Sequence, residues 1–434
     1  MKHVGLYSRV RGRLLGLLGR RLGQREEGVA LLAVVVMVAV IAATTAEFSY
    51  SSRVDYVAAV NARDDLRAHY LARSGLALSR LLLRVQQKLI DPQIRSWKLG
   101  MDLQVSDYAP YIIQAFNKAD DAEGLGMMLG VSGPIKGIGV DVGTFDLEMT
   151  SLDGRINVNC AGGANAGAPN VTRIAASLSA MMLSERYNPL FERADKDGQY
   201  NDRLTVLRAI IDWADQDTQM YGSSAPEDNR YNSGKDPYET KNHYYDTMDE
   251  LRLVRGVDEE FMQAFGKYLT VYGRCKLNVS LADVPTIMAL IMQYAATPSD
   301  PGLQVRNLAL LAHYVKQIGE LAGGFKTVTD FMKAAENPMA QLGQAASLDS
   351  LLGQGQTDTQ QKTNLPPVQG VKVTAKIGEA ITGSYVRRIW RVVGKAKVGL
   401  VQKKIITIWD QSAMSMHARN AGMGAGAYLY WREE

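Results

Sequence analysis

The stretch "REEGVALLAVVVMVAVIAATTAEFSY", Arg25 to Tyr50, sets eighteen apolar or small residues between acidic ones, and its reading decides the fold. As a helix, Val29 to Ala46 would span ~27 Å, enough for a bilayer core with help from its flanks. Three readings compete. Thr44 and Ala46 stand before Glu47 as small residues stand before the cut of a secretory signal. The same run could be a plain anchor. In the third reading the cut falls on the cytoplasmic side, after Gly28, and the apolar stretch stays on the mature chain as its first helix.

The residues beyond Ala46 select among them. From Val29 to Ile90 there is no proline and a single glycine, Gly75, so nothing ends a helix before Asp91-Pro92. The apolar run therefore flows into a soluble helix some sixty residues long, which cleavage before Glu47 would cut in two. Leu66, Tyr70, Ala77, Leu81, Val85 and Leu89 recur at helical spacing between Arg63, Arg67, Arg73, Arg80 and Arg84. This amphipathic stripe predicts a partner surface.

The chain has 434 residues, 46% hydrophobic and 22% charged, which is a globular composition long enough for two or three compact units. Its net charge of +4 does not mark a nucleic-acid binder. Lys2, Arg9, Arg11, Arg13, Arg20, Arg21 and Arg25, against Glu26 and Glu27, account for the whole surplus. The remainder is near neutral, so the basicity is a topology signal that keeps residues 1–28 in the cytoplasm and puts the bulk of the chain outside the inner membrane. Two cysteines occur, Cys160 and Cys275, in a compartment that permits a bridge. A disulfide and two buried thiols both remain open.

After Pro92, the glycine-rich "EGLGMMLGVSGPIKGIGVDVG" lacks GxxxxGK[ST] and reads as loop. "TFDLEMTSLDGRINVN" alternates on both sides of Asp153-Gly154 and predicts a hairpin, or strands close to one. From 161 to 345 five segments carry helix-period apolar positions: "VTRIAASLSAMML", "RLTVLRAIIDWADQ", "MDELRLVRGVDEEFMQAFGKYL", "DVPTIMALIMQYAA" and "QVRNLALLAHYVKQIGELA". "GQGQTDTQQKTNLPPVQG" reads as linker. Beyond it "VKVTAKIG", "SYVRRIWRVVGKAK" and "LVQKKIITIW" read as strands. The fold class is α+β: a long N-terminal helix packed on a small antiparallel sheet, with a large inserted all-α domain.

These residues resemble one family, the large minor pseudopilin of type II secretion, subunit K. The resemblance rests on Gly28-Val29, "SLDGRINVN", "IDWADQD", "APEDNRY", "DELRLVRGVDEEF", "KLNVSLADV" and the terminal "YLYWREE", in that order behind a pilin-like segment. It runs from Gly28 to about Pro285 and returns in the terminal residues, with nothing recognised between Pro301 and Gly370, and it implies a pilin-like fold. With the patterning above, the chain divides into a cytoplasmic prepilin leader (1–28), a transmembrane and amphipathic helix (29–90), the first part of the α/β domain (91–160), the inserted helical domain (161–345), a linker (346–370) and C-terminal strands (371–434). It further implies cleavage between Gly28 and Val29 by prepilin peptidase, methylation of the new N-terminus, and a subunit capping the tip of the pseudopilus. The implied partners are minor pseudopilins I and J, the major pseudopilin, the inner-membrane assembly platform, secreted cargo and the outer-membrane secretin. Other pseudopilins resemble type IV pilins in carrying glutamate at the fifth mature position; here that residue is Ala33. A tip subunit has no neighbour above to offer an amine, so a carboxylate there would be unpaired in hydrocarbon.

Asp212, Asp215, Asp217, Glu227 and Asp228, with Asp236 and Asp246 beyond, form the strongest candidate site, because hard cations take carboxylate oxygens gathered from a loop. The family is associated with calcium, and the positions nearest its motif are Asp215, Asp217, Glu227 and Asp228; the plain alternative is a solvated acidic loop. "DKDG" at Asp195 to Gly198 lacks the acid that would end a calcium loop and reads as surface. "DELRLVRGVDEEF" has the shape of a helix-hairpin-helix, but Asp258, Glu259 and Glu260 would repel phosphate, so it reads as packing. The five histidines form no spaced pair and no GxSxG turn occurs, so catalysis finds no support. The competing function is an unprocessed, membrane-anchored periplasmic adaptor binding cargo or cell wall; a calcium-dependent hydrolase is more distant.

Overall fold

The computed structural model describes residues 4–93, 104–117, 142–162, 169–195, 198–232, 236–351, 366–383, 387–412 and 426–434. These fall into two units, one comprising the chain up to Ala68 with Val398–Val401, the other His69–Lys397 with Gln402–Glu434.

Helix α1, Val4–Val85, runs through Gly28 without a break and contributes to both units. In the first unit its apolar stretch is wholly exposed, and among the described residues it is the one helix long and apolar enough to cross a membrane. The hydroxyls of Thr44 and Thr45 donate to the Ile41 carbonyl at 3.0 and 2.7 Å, so neither leaves a bare donor in the apolar run. Past Val85 the helix continues through a π turn, Gln86–Ile90, to Gln93. Asp91-Pro92 thus sits inside its last turn, not beyond its end.

The second unit is built on a four-stranded antiparallel sheet in chain order β1, β6, β7, β8. Its strands are β1 (Thr144–Ser151), β6 (Ile389–Val398), β7 (Val401–Asp410) and β8 (Ala427–Glu433). Ala72, Leu76 and Leu83 of α1 pack against Phe145, Leu147, Trp390, Val392, Ala396, Ile405 and Trp409 of the sheet. Glycine permits the close approach on both sides: a Cβ at Gly75 would lie 3.1 Å from the Phe145 ring, and one at Gly394 3.0 Å from the Ala72 carbonyl. Helix α2 (Val105–Asn117) closes the β1 edge, with Asn117 bonding both N–H and C=O of Phe145.

The stripe expected to pack is the outer face of α1. Leu66, Tyr70, Leu81 and Leu89 are each more than half exposed, while small residues and Leu76 meet the sheet. Arg80 lies on this sheet side too, 4.6 Å from the Trp409 ring centroid, and Arg73 lies 5.9 Å from that of Trp431. The terminal "YLYWREE" supplies strand β8.

Everything between β1 and β6 is an insertion that repeats one design. Strand β2 (Ile156–Asn157) pairs in parallel with β3 (Leu269–Thr270), and β4 (Leu277–Asn278) with β5 (Ile381–Thr382). Asn157 and Asn278 each accept the N–H two residues on, opening a 3₁₀ turn. The echo is readable: "INVN" and "LNVS" at the starts, "EFMQA" (260–264) and "DFMKA" (330–334) within, "GKYLT" and "GEAIT" at the ends. The first repeat holds α3 (Pro169–Met181), α4 (Arg203–Ala214) and α5 (Glu259–Phe265); the second holds α6 (Val284–Tyr294), α7 (Val305–Leu321), α8 (Val328–Glu336) and α9 (Pro338–Leu351). Each buries its own apolar cluster.

This arrangement corrects three expectations. "TFDLEMTSLDGRINVN" is not a hairpin: β1 pairs with β6 and β2 with β3, because Asp153-Gly154 leads into the insertion. "VKVTAKIG" is not a strand: Val371, Val373 and Ile377 are buried in the second repeat's core, with a 3₁₀ turn at Ala375–Glu379. The described parts of the expected linker 346–370 belong to the second repeat: α9 reaches Leu351, the Pro366 carbonyl accepts the Tyr314 hydroxyl at 3.0 Å, and Asn307 bonds both backbone groups of Gln369. The insertion therefore extends to residue 388, not 345. Most of the glycine-rich stretch, residues 123–141 of 123–143, lies outside the described residues.

Candidate metal centre

Helix α4 starts on Asp202, whose carboxylate accepts the Thr205 N–H at 2.7 Å, and buries Val206, Leu207, Ile210 and Ile211. Asp212 and Asp215 stand one turn apart at its C-terminal end, a spacing that puts them on one side. The chain then doubles back, with Met220 N–H on the Ala225 carbonyl at 2.9 Å, and delivers Glu227 at the start of a 3₁₀ turn, Glu227–Arg230. Oxygens of Asp212, Asp215 and Glu227 all lie within 4.8 Å of one another. Their residues are 4%, 1% and 2% exposed.

Protein donors satisfy this cage only in part. Asp212 accepts the Tyr221 N–H at 2.7 Å, and Glu227 accepts the Thr240 hydroxyl at 3.2 Å. Among the described residues, both oxygens of Asp215 and Oε1 of Glu227 have no partner. Trp213, Tyr231 and Tyr245 pack beside the site, with the Trp213 ring 5.8 Å from Tyr231 and 6.5 Å from Tyr245. Burial, with the Asp217 carboxylate adding, lifts Asp212 to about 7. Burial, and then Glu227, Asp212 and Asp217, lift Asp215 to about 8; burial and Asp212 lift Glu227 to about 8. Three buried carboxylates, two of them with unpartnered oxygens, need protons or a cation. Hard oxygen donors without sulfur or imidazole suit a divalent cation of the calcium type.

Of the four nominated ligands, Asp215 and Glu227 enter the cage. Asp217 is half-buried, accepts the Gln219 N–H at 2.9 Å, and acts on the cage through its charge. Asp228 accepts the N–H and hydroxyl of Thr240 at 2.9 and 2.8 Å, a positioning role. Asp212 takes the third place; its signal was its separation of three from Asp215 on one helix. Asp236 and Asp246 stand apart, the latter paired with Lys241 at 2.8 Å.

Cys160 and Cys275 are joined in a disulfide, with Cα atoms 5.6 Å apart. Gly28 and Val29 lie on α1, and a Cβ at Gly28 would meet nothing within 4 Å. Asp195 spends its carboxylate on Gln199 and Asn201; Lys196 and Asp197 lie outside the described residues. In the helix-hairpin-helix segment, Arg193 pairs with Asp258 and Glu260, and Arg252 with Asp249 and Glu259. A Cβ on Gly256 would come within 2.6 Å of Val206, so this hairpin is seated on α4.

Residues 154–274, which contain the whole cage, match the family model described as type II secretion system (T2SS), protein K. A curated relative, type II secretion system protein K of Aeromonas hydrophila, is 33% identical over 89 residues, 20% of this chain and 27% of the relative. The matched stretch thus spans about a quarter of that relative's length. Among solved structures, the GspK-GspI-GspJ complex from the enterotoxigenic Escherichia coli type 2 secretion system covers 74% of this chain and 96% of that one, at 13% identity and a TM-score of 0.42.

Proposed function

From the protein K match of residues 154–274, we propose that this chain is a minor pseudopilin of a type II secretion system. The observation that carries the reading is that one unbroken helix joins an exposed apolar stretch of membrane-spanning length to the domain that bears this match. In this role prepilin peptidase cuts between Gly28 and Val29, the new N-terminus is methylated, and α1 holds the subunit in the inner membrane with its bulk in the periplasm. The exposed Tyr70, Leu81 and Leu89 then offer the face on which minor pseudopilins I and J pack. Ala33 leaves the first helix without the carboxylate that would tie it to a subunit above, so the chain sits at the fibre tip, starts assembly there and helps move folded cargo toward the secretin. It is a structural subunit, not an enzyme.

The cage has a supporting role. A Ca²⁺ ion bound there would offset two of the three negative charges of Asp212, Asp215 and Glu227. The chain's own part is to present them: α4 fixes two, the doubled-back loop brings the third, and Thr240 orients Glu227 while Asp228 holds Thr240. The deciding experiment is the intact mass of the membrane-extracted protein after coexpression with its prepilin peptidase. A chain beginning at Val29 supports the reading. One beginning at Met1 points instead to an unprocessed adaptor, and one beginning at Glu47 to a secretory signal; either overturns it.

A further inference from the structure

The two repeats of the insertion form an internal comparison. They share the parallel strand pair, the asparagine that opens the 3₁₀ turn, and the helices beyond it. They differ in two respects at once. Among the described residues the carboxylate cage occurs in the first repeat alone. The disulfide also belongs to the first repeat alone: the position matching Cys160, three residues after the turn asparagine, is Leu281 in the second. The second repeat closes on apolar packing, so this scaffold folds without a bridge.

The bridge closes a span of 115 residues that contains every member of the cage. It is linked to the cage through short, named contacts. Cys160 lies in the 3₁₀ turn Val158–Ala161, next to Asn159. The Asn159 amide donates to the carbonyls of Tyr245 and Val271 at 2.9 and 2.8 Å, and its oxygen accepts the Tyr245 N–H at 2.7 Å. Tyr245 in turn donates its hydroxyl to the Ile210 carbonyl of α4, and the same segment carries Thr240, which holds Glu227. Gly162 abuts the end of α4 itself, where a Cβ would be 2.9 Å from the Ala214 carbonyl. The turn that carries Cys160 thus touches both walls of the cage, the α4 end with Asp212 and Asp215 and the segment that orients Glu227.

We propose that the Cys160–Cys275 disulfide is a lock on the cation cage, holding the three carboxylates together against their own repulsion, so that the oxidised chain takes up a divalent cation and the reduced chain does so weakly. The inference rests on the cation reading of the site. Closing the lock removes two electrons and two protons from the thiols of Cys160 and Cys275 and passes them to an oxidising disulfide, which leaves as a dithiol. Cys275 is partly exposed and within reach of such a reagent.

The test is calorimetric titration of the full-length chain in detergent with Ca²⁺, comparing the oxidised protein with the Cys160→Ser, Cys275→Ser double variant. Binding at least tenfold weaker in the variant is expected, and affinities within twofold of each other overturn the lock while leaving the cation site standing. No Ca²⁺ uptake by the oxidised wild-type chain overturns the cation reading, and the lock with it. A second measurement does not depend on the variant folding. Because coupling is reciprocal, saturating Ca²⁺ must raise the bridged-to-reduced ratio of the wild-type chain in a glutathione buffer by the same factor. An unchanged ratio in a chain that binds Ca²⁺ overturns the lock.

Discussion

The carboxylate of Asp153 accepts the backbone N–H of Ile389 at 3.0 Å and that of Arg388 at 2.7 Å, so a side chain at the start of the insertion holds the backbone at its end. The Ser151 hydroxyl donates to the same carboxylate at 3.0 Å, and the Asp153 carbonyl accepts the Asn278 N–H at 2.7 Å. One residue thus fastens the sheet, the neck and the second repeat.

Asp153→Ala takes the acceptor from two backbone donors at a half-buried site, and the expected loss is about 1 to 3 kcal/mol. Gly154→Ala at the next position drives a Cβ to 2.4 Å from the Leu281 backbone, with an expected loss of about 1 to 3 kcal/mol. Thermal midpoints of both variants check this; an unshifted midpoint for Asp153→Ala would show that the neck is held by other contacts.

The cage makes metal-free stability depend on pH. Asp212, Asp215 and Glu227 titrate near 7, 8 and 8 when folded, against ordinary values of 3.8 for the aspartates and 4.5 for the glutamate. Between these limits the folded chain binds more protons than the unfolded one, so its stability falls as pH rises from about 4 to 8. In chelator the melting midpoint should therefore drop between pH 5 and pH 8. Ca²⁺ should restore most of that drop, and binding should tighten with pH. A midpoint equally high at both pH values in chelator would contradict this account.

Asp215→Asn removes one of the repelling charges while keeping the shape. At pH 8 in chelator the variant should melt higher than the wild type, and added Ca²⁺ should move its midpoint little. A variant that melts lower in chelator would mean that the carboxylate holds the fold by itself.

The two faces of α1 should separate cleanly. Leu76→Ala, on the sheet side, is expected to cost about 2 to 5 kcal/mol. Leu81→Arg, on the exposed side, should change stability by no more than about 0.5 kcal/mol. Copurification with minor pseudopilins I and J should nonetheless be lost in Leu81→Arg, and its retention would remove this face from the assembly.

In the proposed tip position Ala33→Glu would place an unpaired carboxylate in hydrocarbon, and it should then reduce secretion of folded cargo. Secretion at the wild-type level would count against the tip position.

The long helix, the helical block and strands β6 and β7 were legible in the sequence, because each carries one period over many residues. The face of α1 was not. Counting large apolar residues selects Leu66, Tyr70 and Leu81, whereas the sheet accepts Ala72, Gly75 and Leu76, since close helix-to-sheet packing favours small side chains. Strand pairing was missed for a related reason. Alternation in Thr144–Ser151 gives a strand without naming its partner, which lies in β6, far along the chain. The acidic site is legible as a region that includes Asp212; Asp212 falls outside the four positions nearest the family motif because it comes from the end of a helix and not from the loop. The internal repeat was written in "INVN" and "LNVS", but four residues say little until the strand pairs show them in equivalent places.

The sheet order β1, β6, β7, β8 has a consequence for how such a molecule can change. Ser151 lies opposite Trp390, so the insertion leaves and rejoins the sheet at neighbouring points, where a tight turn would serve an ordinary meander. Closure entropy grows only with the logarithm of loop length, and a body that folds on its own core adds little even to that. The meander is therefore nearly indifferent to the size of what it carries there, and repeats could be gained, lost or exchanged at this turn while the membrane helix and its sheet stay as they are.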